Sequence, residues 1–398
     1  MRIVVCDNGL SQIGGHHYNL ALGLRVELAE RGAEMALLSH VTFPPSLCEA
    51  LDARPTFHYS PYHRISRDRS RHYLKGQEYL GRRFASDLDE ASVGTCDVLF
   101  LHSARASEIW GTAEWLSRQG AGRRPLVAIN FMNADFTVGP HIVDPESSRD
   151  AYLNAFDKLF SVVPRERTCL SSSSAEIVAA MTELAGTPVN LYPMPKFVPK
   201  LDGVSRPPNA VALVGVLGPF NGDDRAVLIP DVARATAGRD LACRFLVQGP
   251  THLVRRDLVD VYTALRSLPN VELTRTEMDF DAYFSAMFAC DIVLINYDSL
   301  QYAAMTSGIL SEAVAFGIPV VVPPNTWMSR QVAAGEAAGV IFAARTPSGI
   351  ADAIARVLDD FDTFKAAASR CATHWRKTNG LGVFLDRLLA DIAKAQRS

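Results

Sequence analysis

The sequence predicts an α/β protein made of two similar halves, each an alternation of strands and helices around a parallel sheet, and three observations point there. Short apolar runs rich in β-branched residues recur along the chain, as strands buried on both faces require; Asp291-Ile-Val-Leu-Ile295 and Val320-Val-Val322 are examples. Stretches with the helical spacing of apolar residues fall between these runs, and the alternation starts afresh at Ala210. Between the two series Pro193, Pro195, Pro199, Pro207 and Pro208 crowd a segment that also carries Lys196, Lys200 and Gly203, which marks an interdomain linker. A chain of 398 residues exceeds one ordinary core, so two domains follow, with ligands expected in the cleft between them.

In the first half, Arg2–Cys6 reads as a strand and Asp7–Ile13 as a polar loop ending in Gly14-Gly15. A helix runs from about His16 to Arg31 through Leu20, Leu24 and Leu28, and Met35–Leu38 is the next strand. The paired glycines let a ligand approach the backbone, or simply form a turn; their spacing does not match the G-x-G-x-x-G of a dinucleotide site. Asp97–Leu101 is a strand leading into His102-Ser103-Ala104-Arg105 and a helix over about Ser107–Arg118. A histidine at a strand's carboxyl end points into the crevice, where it can hydrogen-bond a sugar or phosphate, move a proton, or satisfy a loop carbonyl. Leu126–Asn130, Leu159–Val163 and Val189–Tyr192 read as further strands, and Ser171–Met181 as a capped helix.

In the second half, the strand Ala210–Val214 opens into Gly215-Val-Leu-Gly-Pro-Phe-Asn-Gly222 and a helix over about Asp224–Ala237. Arg244–Val247 and Val271–Leu273 read as strands, Val259–Leu268 and Phe280–Phe288 as helices. Ala289–Pro324 is the stretch around which this half is organised. There Ser307-Gly308 begins a helix whose open amides and positive dipole end suit a phosphate, and Glu312, about a turn further on, can accept hydrogen bonds from ribose hydroxyls. The plainer alternative is that Ser307 caps the helix and Glu312 is solvated. Three helices close the chain, over Ser348–Leu358, Phe361–Trp375 and Val383–Ala395.

A hydrophobic content of 48% with 21% charged residues fits a globular protein, and a net charge of −3 excludes a general nucleic-acid binder, which needs a basic excess. The exception is local: residues 62–84 carry Arg64, Arg67, Arg69, Arg71, Lys75, Arg82 and Arg83 against Asp68 and Glu78. That segment can face an anionic membrane surface or a phosphorylated acceptor, or is a solvated helix face. Seven cysteines without C-x-x-C spacing read as reduced thiols. With no leader-like segment and no apolar run long enough to span a bilayer, a cytoplasmic location is expected, with peripheral contact at the inner membrane face left open. No D-x-D follows an apolar strand, and no metal site is expected.

The early Gly-Gly loop and its helix, the histidine ending the fourth strand, the glycine loop opening the second half and the block Thr306–Pro323, TSGILSEAVAFGIPVVVP, together resemble the GT-B fold glycosyltransferases. Among them the chain is most similar to the retaining nucleotide-sugar enzymes of glycosyltransferase family 4. The resemblance implies two Rossmann-like α/β/α domains facing each other across a cleft: residues 1–200 on the acceptor side, 201–380 on the nucleotide-sugar donor side, and 381–398 as a C-terminal helix returning towards the first domain. It also implies roles. Glu312 would bind the donor ribose, while Ser307, Gly308 and Ile309 would contact its phosphates and sugar. Gly14, Gly15 and Gly215 would lie along the donor, His16 beside the acceptor, and His102, as the catalytic residue, near the transferred sugar. The reaction implied is hexosyl transfer with retention, without metal or resident cofactor, the nucleotide diphosphate sugar being a co-substrate. The acceptor would be a glycan, a lipid-linked molecule or a small molecule.

Two departures stand out. The family places a second glutamate eight positions before the first, where this chain has Ala304, and basic residues after the first strand of the second half, where GVLGPFNGDDR offers Val216, Phe220 and Asn221. Arg105, Arg225, Arg255 and Arg256 are the candidates to balance a leaving diphosphate. These departures support the alternative of a non-catalytic GT-B protein that binds nucleotide or glycan or supports a partner enzyme. The βαβ opening alone would also suit an NAD-linked oxidoreductase.

Overall fold

The apolar runs become the strands of two sheets, each belonging to a separate unit. The first unit comprises Met1–Phe197, Ala304–Thr306 and Asn379–Ser398, the second Val198–Ala303 and Ser307–Thr378. The computed structural model describes residues 1–61, 70–94, 96–132, 145–199, 209–218, 226–249, 256–274 and 278–397.

In the first unit the order is β1 (Arg2–Cys6), α1 (Gly15–Glu30), β2 (Glu34–His40), α2 (Pro45–Leu51), β3 (Ala53–Phe57), α3 (Ser70–Glu90), β4 (Val98–His102), α4 (Ala106–Ser117), β5 (Leu126–Phe131), α5 (Pro145–Val162), β6 (Thr168–Ser172), α6 (Ala175–Ala185) and β7 (Asn190–Leu191). The second continues with β8 (Ala212–Val216), α7 (Ile229–Ala237), β9 (Cys243–Gln248), α8 (Arg256–Arg266), β10 (Val271–Thr274), α9 (Phe280–Ala289), β11 (Ile292–Leu294), α10 (Gly308–Ala315), β12 (Val320–Val322), α11 (Trp327–Ala333), β13 (Gly339–Ile341), α12 (Pro347–Asp359) and α13 (Phe361–Thr378). The last helix, α14 (Leu381–Ala395), belongs to the first unit.

The strand orders are β3-β2-β1-β4-β5-β6-β7 and β10-β9-β8-β11-β12-β13, and every ladder pairing is parallel. Each order reverses direction once, at β1/β4 and at β8/β11. Helices leave the carboxyl ends of those neighbouring strands in opposite directions, which opens a crevice there. The alternation of side chains along β1 builds both faces of the first sheet. Ile3 and Val5 pack with Leu20, Leu24 and Leu28 of α1 and Phe384 and Leu388 of α14. Val4 and Cys6 pack with Leu99, Leu101, Ile109 and Leu116 on the other side. Burying a side chain the size of Phe384 contributes about 1.5–3 kcal/mol, which is what anchors α14 to this unit.

Several elements differ from the sequence expectation. Leu159–Val163, read as a strand, is the end of α5 and the residue after it: Tyr152, Ala155, Phe156 and Leu159 are buried at helical spacing, a period that a five-residue window hides. The strand lies further on, in β6, and takes up Ser171 and Ser172, which had read as the start of a helix; Ser174 is the true cap, accepting from the Ile177 amide. β3 and β13 were not foreseen. Of the basic segment, 62–69 lies outside the described residues and the rest enters α3, where Arg82 pairs with Glu78 at 3.2 Å and Arg83 with Asp87 at 2.8 Å. All seven cysteines are free thiols. Among the described residues no helix is long and apolar enough to cross a membrane.

Candidate functional site

Each unit gathers polar side chains at the carboxyl ends of its central strands. In the first, Asp7 and Asn8 follow β1 while His102 ends the adjacent β4, so the ladder itself makes them neighbours. The Asp7 carboxylate, fully buried, accepts the Gly9 amide at 3.1 Å and lies 2.6 Å from His17 Nδ1. Burial works against its charge, but His17 outweighs it and holds the carboxyl below its ordinary value. Gly9 is required by packing, since a side chain there would collide with the His17 ring. Asn8 donates to Glu108 at 2.8 Å. Glu108 also accepts from the Arg105 amide and from Ser107 Oγ, both at 3.0 Å, and so ties the loop after β1 to the start of α4.

His102 is only 3% exposed, and neither of its ring nitrogens has a hydrogen-bond partner among the described residues. Burial pushes its pKa down to about 3; Asp7 opposes this, while the charges of His17 and Lys196 add to it. His16 is likewise held well below its ordinary value, by burial first and then by His17, Lys196 and His102. The rings lie close, 4.1 Å between His16 and His17, 5.9 Å between His17 and His102, and 6.5 Å between His16 and His102. At neutral pH His102 is therefore a neutral imidazole, one donor and one acceptor, and too weak a base to hold a transferred proton. Ser103, directly after it, adopts φ 67°, a left-handed conformation that costs a non-glycine residue about 1 kcal/mol or more. His16, Asn19, His102, Met194, Lys196 and Phe197 line a small cavity with room for about one water-sized group.

Gly14 and Gly15 take φ 78° and 72°, a region closed to most side chains, and a Cβ on Gly15 would meet nothing within 4 Å. It is the backbone turn that demands glycine here, and the space over it is open. α1 has no side-chain cap at Gly14 and no acidic residue in its first turn.

In the second unit Ser307 Oγ accepts the Leu310 amide at 3.2 Å and caps α10, with Gly308 and the partly buried Ile309 as its first residues. Glu312 is not solvated. It is 3% exposed and accepts a hydrogen bond of 2.7 Å from Tyr283 Oη on α9. Burial, reinforced by the Glu312 charge, raises the Tyr283 phenol well above 10, so it stays protonated as the donor. Gly215 sits within β8, where a side chain would collide with Cys290 Sγ, so packing accounts for it. At the carboxyl end of β11, Arg345 Nε donates to the buried Asn296 at 3.0 Å and brings a guanidinium to that edge. Arg225 and Arg255 lie outside the described residues, as does the side chain of Arg256. Ala304 is buried and supplies no carboxylate.

No protein-family model matches the sequence, and no curated protein matches it. Solved structures match it over essentially its whole length. Sucrose-phosphate synthase from Thermosynechococcus elongatus has a TM-score of 0.68 at 14% identity, covering 99% of both chains. A glycosyltransferase from Rickettsia africae ESF-5 has 0.64 at 10% identity, covering 100% of this chain and 99% of that one. HepE from Anabaena, solved in complex with UDP-glucose, has 0.61 at 14% identity, covering 99% of both. The chain has the GT-B fold. Within each half of this GT-B chain, the crevice at the strand-order reversal carries one polar cluster, His16, His102 and the Gly14-Gly15 turn in the first, Ser307, Gly308 and Glu312 in the second. Sequence reasoning missed Tyr283, Glu108, Lys196 and Arg345. Among the described residues no three His, Cys, Asp or Glu side chains are grouped to hold a metal ion.

Proposed function

We propose that this protein is a cytoplasmic glycosyltransferase that moves a sugar from a nucleotide diphosphate sugar to an acceptor hydroxyl, with retention of configuration and without a metal. Glu312 carries the reading. A buried carboxylate oriented by Tyr283, about one turn into a helix, in a fold shared from end to end with glycosyltransferases, is suited to a pair of ribose hydroxyls. Tyr283 occupies one of the roughly four acceptor directions of that carboxylate, and a ribose can use others. The amides at the start of α10 would face the phosphates.

In the transfer, the acceptor oxygen bonds to the anomeric carbon as the bond from that carbon to the leaving phosphate oxygen breaks. The acceptor proton passes to that phosphate oxygen. No protein base is consumed, which agrees with a His102 too weakly basic to serve as one. Neutral His102 would hydrogen-bond the sugar, and the protein's work would be positioning and charge stabilisation. A second reading, a non-catalytic binder of nucleotide or glycan, is favoured by one observation: Ala304 stands where a second glutamate is expected.

The experiment is to incubate the protein with UDP-, ADP-, GDP-, CDP- and dTDP-sugars, with and without EDTA, and follow free nucleoside diphosphate. Release that EDTA leaves unchanged supports the transferase, and the anomeric coupling of the product reports configuration. Binding without release selects the second reading, and absence of binding removes both. For the acceptor, residues 62–84 support a lipid-linked or membrane-adjacent molecule. Arg82 and Arg83 are already paired, so Arg64, Arg67, Arg69 and Arg71 would carry that contact. Sedimentation with anionic vesicles at low salt tests it, since screening is weakest there; a protein that stays in the supernatant has no such contact.

A further inference from the structure

His16, Asn19 and Leu20 stand at positions i, i+3 and i+4 of α1, so one face of the helix brings all three to the small cavity at the end of β4, where His102 meets them. Asn19 is 7% exposed and His102 3%. Neither Asn19 Oδ1 nor either ring nitrogen of His102 has a hydrogen-bond partner among the described residues. The two side chains thus share a cavity without bonding each other, and that cavity has room for about one water-sized group. Buried polar groups are almost always paired, with protein or with ordered water, and a buried water needs at least two polar partners to be held. Asn19 and His102 supply two, while Met194, Pro195 and Phe197 line the rest of the wall.

We propose that Asn19 is a positioning residue for His102, acting through a single buried water that bridges Asn19 Oδ1 and one ring nitrogen of His102. An amide oxygen only accepts, so it takes one hydrogen of the water and fixes how that molecule faces the imidazole. A neutral imidazole has one donor and one acceptor nitrogen, and the nitrogen at the water takes the complementary part. The tautomer is then set, and the second nitrogen has a defined character. Such a bridge is enthalpically nearly as good as the direct bond that usually orients a histidine. The bridge and the tautomer stand without the glycosyltransferase reading. Only the consequence rests on it, that the second nitrogen meets the transferred sugar with its proton always in the same place.

The test compares wild type, Asn19→Leu and Asn19→Ala by nitrogen NMR of isotope-labelled histidine at pH 7.5, with His102→Gln to assign the signals and circular dichroism to verify folding. Wild-type His102 should be one tautomer, with one ring nitrogen protonated and the other bare, and should exchange magnetisation with a water bound longer than bulk solvent. Asn19→Leu is close in size but has no acceptor, so the bound-water signal should vanish and the two nitrogen shifts should move towards each other as the tautomers average. Should that variant fail to fold, Asn19→Ala removes the same acceptor, keeps the space and gives the same readout. Identical His102 shifts in wild type and a folded variant, or a wild-type His102 without a bound-water signal, overturns the proposal. The two readings fail separately. Where nucleotide-sugar turnover is found, Asn19→Leu should lower kcat about tenfold with the donor KM little changed, the scale of one hydrogen bond; an unchanged kcat sinks the positioning role alone. A tautomer that depends on Asn19 in a protein that binds no nucleotide sinks the transferase alone.

Discussion

Acidification from pH 7.5 to pH 5 should destabilise the first unit well before its carboxylates titrate, and the size of the effect follows from His102. In the unfolded chain a histidine titrates at about 6.5. In the fold burial lowers His102 to about 3. Between those values the unfolded state binds a proton that the folded state does not, so stability is full above the unfolded value and falls as pH drops below it. Each unit of pH corresponds to about 1.4 kcal/mol, so at pH 5 His102 alone costs about 2 kcal/mol relative to neutral pH. His16 is shifted in the same direction and adds to the loss. Asp7 has the opposite sign: its folded pKa is lowered, so its contribution is present above about 3.9 and is lost only as pH falls further. The window from pH 6.5 to 5 thus reports the histidines. Two kcal/mol or more out of a typical 5–15 is readily measured. Urea unfolding at half-unit intervals of pH, for wild type and His102→Gln, is the assay. Wild type should lose stability more steeply by about 1.4 kcal/mol per pH unit; parallel slopes would show that His102 is protonated in the fold, and the argument for a neutral ring would fail.

Two further outcomes are expected. Glu312→Gln should lower nucleotide affinity on the order of tenfold to a hundredfold, whereas Tyr283→Phe, which removes only the orienting hydrogen bond, should cost about 1.5–3 kcal/mol of stability and a smaller loss of affinity; calorimetry beside melting curves separates the two, and unchanged affinity in Glu312→Gln would remove the donor-site assignment. Gly15→Ala meets no neighbour, so its cost is confined to about 1–2 kcal/mol of left-handed strain, and turnover should fall far more than that loss of stability implies; an alanine variant with wild-type kcat/KM would reduce the Gly14-Gly15 turn to a structural one.

Which strands were legible depended on how each satisfies its surroundings. β4 and β5 are buried throughout and read as continuous apolar runs. β6 is equally buried but carries Ser171 and Ser172, whose hydroxyls bond the carbonyls of Ile129 and Phe131 on the neighbouring strand at 3.3 and 2.7 Å. A polar strand satisfied by its neighbour leaves no hydrophobic signature. β13 opens with Gly339, a residue that weakens a strand pattern, yet a side chain there would collide with the Val320 carbonyl, so the sheet itself demands the glycine.

The site divides along the same line, between what is local in sequence and what is brought in from a distance. Ser307 and Glu312 share one helix, so their spacing was readable; Tyr283, which fixes the Glu312 carboxylate, stands on another helix. His102 was readable as a strand-end histidine, but its chemistry was not. A lone imidazole in water could equally donate a proton, accept one or bind a metal. Here its neutrality follows from burial against β1 and α1 and from the charges of His17 and Lys196, the second of which sits on a stretch that reads as a proline-rich linker. Lys196 lines the same cavity, and the Leu381 amide of α14 donates to its carbonyl, a contact between residues far apart in the chain that no local pattern announces.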